Sequence, residues 1–186
     1  MPAIYDELKK DHQKVLTLLD QLIASENAGP QVWGELVQKI RDELIPHARA
    51  EEAILDNSLR DMGQANDVVA HSYNEHVQAE TVLRGLQLSE ASNVTWVGAA
   101  RKLRDALQHH ILEEETQVFT AAQGVFSDDE ARAMGDAFVQ MKPKIRDQSF
   151  AGTTLDMIVN LLPARMRDSV RKFANESMPG GRLAAT

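Results

Sequence analysis

The sequence contains no cysteine among its 186 residues. A disulfide framework, a thiolate metal site and a cysteine nucleophile are therefore excluded, and any bound metal must be held by nitrogen and oxygen ligands. Iron–sulfur clusters and zinc fingers that depend on cysteine are excluded for the same reason.

Positive charge is also scarce. Lysine and arginine together number 20, against 28 aspartates and glutamates, which gives a net charge of −8. A nucleic-acid partner needs a basic face, and none can be assembled here without acidic neighbours. We therefore expect an acidic protein with no nucleic-acid partner.

Long apolar runs are missing as well. No uninterrupted apolar stretch approaches the roughly 20 residues that span a bilayer. The amino-terminal sequence MPAIYDELKKDHQK lacks the apolar core of a signal peptide. We expect a cytoplasmic protein with no membrane partner, built as one domain with an appendage.

Helical periodicity is what the sequence does contain. Apolar residues recur at intervals of three and four in four stretches, at residues 4–22, 33–55, 69–86 and 96–118. Turn-forming sequences separate these stretches, and no segment shows the two-residue alternation of a strand. The pattern predicts an all-α fold, an antiparallel up-down-up-down four-helix bundle with additional C-terminal helices.

The additional helices follow residue 124. The sequence SDDE at 127–130 is a capping box, which predicts a shorter fifth helix that ends near Pro143. Residues 154–175 predict an amphipathic helix interrupted at Pro163, whose apolar face packs on the bundle, forms a homodimer or binds a partner helix. We divide the chain into a bundle domain at 1–148, a helical extension at 149–176 and a flexible tail at 177–186.

A histidine–glutamate pattern occurs twice, 63 residues apart: His47 with Glu51, and His110 with Glu114. Side chains four residues apart on a helix differ in direction by about 40°, so each pair points the same way. A lone histidine precedes each pair, His12 by 35 residues and His76 by 34. The repeating unit is therefore a histidine followed by a histidine–glutamate pair.

Imidazoles and carboxylates are the usual protein ligands of iron, zinc and manganese. Because neighbouring helices are antiparallel, positions early in one helix and late in the next lie at one level, where all six groups can converge. The alternative interpretation is a bundle whose histidines are merely satisfied by hydrogen bonds. The adjacent Glu52 and Glu115 point about 100° away, which favours hydrogen bonding to a ligand or exposure to solvent.

With these residues in view, the chain resembles the hemerythrin-like family, the HHE cation-binding domain. The resemblance covers about residues 3–140 and includes IYDELKKDHQKVLTLLDQL, the repeat itself and VFTAAQGVFSDDEARAMGDAF. It implies a non-haem centre of two iron ions, bridged by an oxo or hydroxo group and by two glutamates. The implied metal ligands are His12, His47, Glu51, His76, His110 and Glu114.

The chain departs from the family pattern at two places. Oxygen-carrying members have a further histidine on the third helix, and here the one candidate is His71, five residues before His76. Five helical steps turn a side chain by about 140°, so His71 reaches the metals only if the helix is irregular. Leu55, Asp56 and Asn57 stand where the family commonly has leucine, an aromatic residue and proline.

These features predict a protein that binds dioxygen, nitric oxide or peroxide for sensing, storage or a stress response. The histidine-rich ligand set favours binding, since it supplies less negative charge than the carboxylate-rich oxidase bundles. The alternative is a di-iron enzyme that disproportionates hydrogen peroxide or turns over nitric oxide, with Tyr73, His71 or Glu115 as proton donor. A third hypothesis is iron-linked regulation through the carboxy-terminal helix.

Overall fold

A computed structural model describes residues 2–63, 65–88, 95–147 and 152–177 of the chain. Those residues contain no β-strand, and the predicted all-α class is confirmed. The helices are α1 (Ile4–Ala24), α2 (Pro30–Glu51), α3 (Asn57–Asp61), α4 (Asn66–Leu88), α5 (Thr95–Glu113), α6 (Phe119–Val125), α7 (Asp128–Arg146), α8 (Gly152–Val159) and α9 (Ala164–Ser177).

Four long helices, α1, α2, α4 and α5, form the bundle, each packing against two of the others. Local signals in the sequence start these helices. The Asp6 carboxylate accepts a hydrogen bond from the backbone N–H of Ala3 at 3.0 Å, which satisfies a free donor at the start of α1. Gly29 adopts a φ of 91°, where a side chain would be strained, and turns the chain into Pro30 at the first position of α2.

Two π-helical turns interrupt the bundle, at Glu52–Asp56 and Glu114–Val118. Each turn lies where a predicted metal-binding pair ends, and each helix then resumes, as α3 and as α6. A π-helical turn adds one residue to the helix and is found frequently at functional sites. Apolar periodicity continues through both turns, so the sequence predicted ordinary α-helix there.

The buried histidines lie between two apolar cores. In α1, Leu8 belongs to one core and Val15 to the other, and His12 stands between them. Likewise, His47 in α2, His76 in α4 and His110 in α5 each lie between residues of the two cores. We call the core that contains Val15 the upper core and the core that contains Leu8 the lower core. The upper core also contains Trp33 and Trp96, whose ring centroids lie 6.0 Å apart in an edge contact. The lower core contains buried residues of both π-helical turns.

Helix α7 lies against α1 and α2 and extends three residues beyond Pro143, where the sequence predicted its end. The capping box at its start is present, with Ser127 accepting from the N–H of Glu130. Gly135 faces the start of α1 so closely that an added Cβ would lie 2.8 Å from the carbonyl oxygen of Pro2. This glycine lets α7 contact the amino-terminal segment.

Helices α8 and α9 close the lower core. Their predicted apolar face is buried there, at Leu155, Ile158, Val159, Leu162 and Met166. The side-chain amide of Asn57 donates to the carbonyl oxygen of Ser169 at 3.4 Å, and Arg165 pairs with Glu130 at 2.7 Å. The extension therefore packs on the bundle.

The turn-forming sequence around residues 88–93, between the third and fourth helical stretches, and the predicted flexible tail at 177–186 fall largely outside the described residues. Among the helices that are described, none is long and apolar enough to cross a membrane.

Candidate metal centre

The fold brings all six predicted ligands together in the interior of the bundle, in an arrangement here called the inner cluster. Each of the four bundle helices supplies a histidine, Glu51 ends α2, and Glu114 begins the second π-helical turn. All six side chains are buried, with Glu51 completely inaccessible and Glu114 1% exposed. The members of the inner cluster are His12, His47, Glu51, His76, His110 and Glu114.

The Nε2 atoms of the histidines face the two glutamates. His12 Nε2 lies 3.0 Å from Glu114 Oε2, and His47 Nε2 lies 3.2 Å from Glu51 Oε2. His76 Nε2 is 3.8 Å from Glu51 Oε2, and His110 Nε2 is 3.8 Å from Glu114 Oε2. Nitrogen and oxygen donors thus converge on a common interior space.

The cluster divides into two groups of potential ligands. His12, His47, Glu51 and Glu114 each offer an atom within 4.8 Å of the others, and so do Glu51, His76 and His110. Glu51 belongs to both groups. A carboxylate has two oxygens and can join two cations, so this geometry suits a pair of ions bridged by Glu51.

Each of the four histidines also contacts a carboxylate through Nδ1, on the side away from the cluster. The Nδ1 atoms of His12 and His76 lie 2.9 and 3.0 Å from Glu115 and Glu52. The Nδ1 atoms of His47 and His110 lie 3.2 and 2.9 Å from the carboxylates of Asp11 and Glu75.

An ionised carboxylate only accepts hydrogen bonds, so Nδ1 of each imidazole carries the proton. The lone pair of a neutral imidazole is then on Nε2, which faces the interior. Metal-binding histidines are commonly oriented in this way by a carboxylate behind the ring. We call Asp11, Glu52, Glu75 and Glu115 the outer carboxylates.

The outer carboxylates repeat along the chain as the ligands do. Asp11 and Glu75 each precede a lone histidine directly, and Glu52 and Glu115 each follow a paired glutamate directly. Glu52 and Glu115 were predicted as hydrogen-bonding candidates, whereas Asp11 and Glu75 were not predicted. The signal that could have found them was the acidic residue in front of the histidine in both KDHQ and NEHV.

The inner cluster contains buried polar atoms with no hydrogen-bond partner among the described residues. They are His12 Nε2 and both carboxylate oxygens of Glu51 and of Glu114. In addition, the Nε2 atoms of His76 and His110 lie 3.1 Å apart, a contact that is favourable only if one of the two nitrogens carries a proton. Buried polar groups are normally satisfied, so a cluster of such atoms fits a bound cation.

The cluster's own charges shift its pKa values strongly. Burial alone would lower the pKa of His47, but the hydrogen bond with Asp11 and the nearby charge of Glu51 raise it to about 10. Burial alone would raise the pKa of Glu51, but His76 and His47 lower it to about 2. Without metal, the cluster therefore holds imidazolium beside carboxylate, and a cation that binds the imidazole of His47 must displace its proton.

His71, considered above as an additional ligand, does not join the inner cluster. Its side chain is 57% exposed, and its Nε2 lies 3.1 Å from Glu113 Oε2. The helix α4 is regular around it, so the five-residue spacing from His76 places the ring on a different side. His109 is likewise exposed, whereas its neighbour His110 is buried.

Asp56 and Asn57, which depart from the family pattern, are both buried. Asn57 anchors α9, as described above. Asp56 Oδ1 has no hydrogen-bond partner among the described residues, and Asp56 Oδ2 is 3.5 Å from the hydroxyl of Ser72. Burial first, and then the charges of Glu51 and Glu114, raise the pKa of Asp56 well above its ordinary value.

A cleft of about 210 Å³ lies at the surface between α4 and the second π-helical turn. Two members of the inner cluster, His110 and Glu114, are among its lining residues. The other lining residues include both polar and apolar side chains: Asp67, Val68, His71, Ser72, Glu75, Glu113, Gln117 and Val118. The cleft therefore brings the protein surface close to two side chains of the inner cluster.

Residues 3–122 match one protein family, described as the Hemerythrin HHE cation binding domain. The matched range contains every member of the inner cluster and all four outer carboxylates. A curated relative from Nostoc sp. (strain PCC 7120), named DNA nickase, is 27% identical over 145 residues. These residues make up 78% of this chain but 40% of the relative, so the chain spans less than half of that protein's length. No solved structure was found to match the chain.

Proposed function

The chain belongs to the hemerythrin HHE cation-binding family, and we therefore propose that its inner cluster holds two iron ions and binds dioxygen or a related small ligand. The observation that carries the proposal is the division of the buried ligands into two groups that share Glu51. Iron accepts imidazole and carboxylate ligands together, as this cluster supplies them. Zinc and manganese accept them too, so the choice of iron rests on the family.

The residues of the chain have distinct parts in this proposal. His12 and His47 would hold one ion with Glu51 and Glu114, while His76 and His110 would hold the other with Glu51. The outer carboxylates orient the rings and hold a proton on Nδ1, so that Nε2 is the nitrogen turned toward the ions. Iron, when bound, supplies the coordination position and the redox chemistry that a small diatomic ligand or peroxide requires.

The protein environment favours ligand binding over turnover. Six protein groups would leave positions around two iron ions unfilled, and the cleft beside His110 lies next to the cluster. Two of the three proton donors suggested by the sequence are engaged elsewhere. The Tyr73 hydroxyl donates to the carbonyl oxygen of Glu52 at 3.3 Å, and Glu115 accepts from His12.

The first experiment combines elemental analysis with the near-ultraviolet and visible spectrum of the full chain. Anaerobically reduced protein is expected to contain two irons per chain and to gain oxo-bridge absorption when air is admitted. The variants His47→Ala and Glu114→Ala are expected to lose that absorption. A folded chain that binds no iron on reconstitution would refute the proposal.

One observation favours an enzyme that consumes peroxide. Asp56 is completely buried and has a carboxyl oxygen with no hydrogen-bond partner among the described residues. Burial and the charges of Glu51 and Glu114 raise its pKa well above the ordinary value, which favours Asp56 as a proton donor. The test is peroxide consumption by the iron-loaded chain and by Asp56→Asn, with oxygen release as the readout. Loss of turnover at unchanged iron content supports this function, and absence of turnover in the unmodified protein excludes it.

The name of the Nostoc relative raises DNA nicking as a further activity to measure. We expect none from this chain, since its net charge of −8 offers no basic surface for phosphates. The assay is conversion of supercoiled plasmid to open circles by the iron-loaded chain at low salt. Nicking above the background of free iron, and its loss in Glu51→Ala, would overturn the expectation.

A further inference from the structure

His71, Glu75 and Glu113 form a second cluster of metal-binding groups, here called the surface triad. Each offers a ligand atom within 4.8 Å of the other two. His71 Nε2 lies 3.1 Å from Glu113 Oε2 and 3.5 Å from Glu75 Oε1. Because His71 is more than half exposed, an ion arriving from solvent can reach this triad directly.

The donor set suits a divalent cation. One imidazole and two carboxylates supply nitrogen and oxygen ligands of the type that Fe²⁺, Zn²⁺ and Mn²⁺ accept. The two carboxylate charges balance a charge of +2. Three protein donors also leave positions for water, so an ion bound here remains exchangeable.

The surface triad is joined to the inner cluster through Glu75. One oxygen of this carboxylate faces His71, while the other lies 2.9 Å from Nδ1 of His110. A single side chain therefore contacts the surface histidine and also orients a member of the inner cluster.

The cleft provides a second connection. Its lining includes all three members of the surface triad together with His110 and Glu114 of the inner cluster. Glu114 is almost fully buried, and neither of its carboxylate oxygens has a hydrogen-bond partner among the described residues. The cleft therefore places the triad beside a ligand side chain of the inner cluster.

We propose that the surface triad is a second divalent-cation site, from which metal enters the inner cluster. This inference rests on the proposed function, because the inner cluster must itself bind metal. The ordinary alternative is that His71 and Glu113 form a surface ion pair, and such pairs contribute little. The contact of Glu75 with both clusters, and the shared cleft, distinguish the triad from an isolated pair.

The test compares His71→Ala with His109→Ala. Both histidines are exposed and both approach Glu113, His109 at 3.5 Å, but only His71 lines the cleft. Metal-free chain is titrated with Mn²⁺, and bound ions are counted by electron paramagnetic resonance. The unmodified chain and His109→Ala are expected to bind one weak ion more than His71→Ala. Glu113→Gln, which keeps the side-chain shape, is expected to lose the same ion.

The second measurement is the rate of anaerobic Fe²⁺ loading, stopped at intervals with a chelator. His71→Ala is expected to load roughly tenfold more slowly, the lower end of the acceleration that a charged cleft gives, and to reach the same final iron content. Equal loading rates in His71→Ala and the unmodified chain would overturn the inference, as would equal slowing in His109→Ala.

The two proposals fail in different ways. If the chain binds two buried ions and Mn²⁺ binding is the same in all variants, the surface triad is not a site and the proposed function stands. If the unmodified chain binds Mn²⁺ and His71→Ala binds none, the inner cluster holds no ion and the proposed function fails. A chain that binds no ion contradicts both.

Discussion

Replacing Glu115 tests whether the outer carboxylates prepare the histidines for metal. Glu115 Oε1 lies 2.9 Å from His12 Nδ1, and the glutamate side chain is 26% exposed. Glu115→Gln keeps an acceptor but removes its charge. Glu115→Ala removes both, and leaves the N–H of a buried ring without its partner.

The expected loss follows from this geometry. Removing a carboxylate behind a metal-binding histidine costs about 10-fold to 100-fold in metal affinity. Glu115 is partly exposed, so solvent screens its charge, and glutamine still accepts a hydrogen bond. We therefore expect Glu115→Gln to lose metal affinity near the lower end of this range, about 1.4 kcal/mol. Glu115→Ala should lose metal affinity near the upper end, about 2.8 kcal/mol.

The assay is competition for Fe²⁺ between the metal-free chain and a chromophoric chelator under anaerobic conditions. Glu26→Gln is the matched control, because Glu26 is exposed in the turn after α1 and changes the charge equally. Unchanged affinity in both Glu115 variants would refute the reasoning that these carboxylates orient metal ligands. An equal loss in Glu26→Gln would show an effect of net charge instead.

Three further predictions concern pH, stoichiometry and packing. The raised pKa of His47 stabilises the metal-free fold below pH 6.5, and this stability is lost as pH rises through about 10. Denaturant melts of the metal-free chain should therefore show the free energy of unfolding falling as pH rises over that range. Metal affinity should rise over the same range, because protons compete with the metal for His47. A free energy of unfolding and a metal affinity that both rise, or both fall, with pH would contradict this prediction. Glu51→Ala should lose both ions by elemental analysis, since both groups share Glu51, whereas His12→Ala should retain one; equal losses would refute the division. Met166→Ala should destabilise the fold by about 2–5 kcal/mol in denaturant melts, because Met166 is fully buried in the lower core, and a change below 1 kcal/mol would show that α9 packs loosely.

Much of the fold was accessible from the sequence because its signals were periodic. The apolar stripes predicted four long helices, and the histidines on those stripes had to face inward. His110 was correctly preferred to its neighbour His109, because only one of two adjacent residues can lie on the buried face. The carboxy-terminal helices were predicted from the same apolar spacing.

The outer carboxylates were harder to predict. Asp11 and Glu75 look like ordinary charged residues on exposed helix faces, and their role depends on which neighbouring helix brings a histidine close. That proximity is a tertiary property which no spacing within one helix encodes. The repeated acidic residue before each lone histidine was the one local sign of it.

The π-helical turns were not predicted, and α7 extends three residues beyond Pro143. In both places, packing in the lower core outweighs the local conformational preferences of the sequence. Each π-helical turn shifts the direction of the residues after it, yet the apolar residues on both sides still reach the lower core. Pro143 lacks an N–H and usually ends a helix. Here α7 continues because Met141 and Ile145, on either side of the proline, are buried in the same core.

The bond between His12 and Glu115 joins residues 103 positions apart, and Glu114 approaches His12 from the same distant segment. A metal ion held at this place would tie the first helix of the bundle to the last. Segments so joined can separate only by breaking coordination, and α1 cannot detach from the bundle while His12 remains bound. The residence time of the ion is thus coupled to local unfolding of α1, so that amide hydrogen exchange in α1 and the rate of metal release should change together.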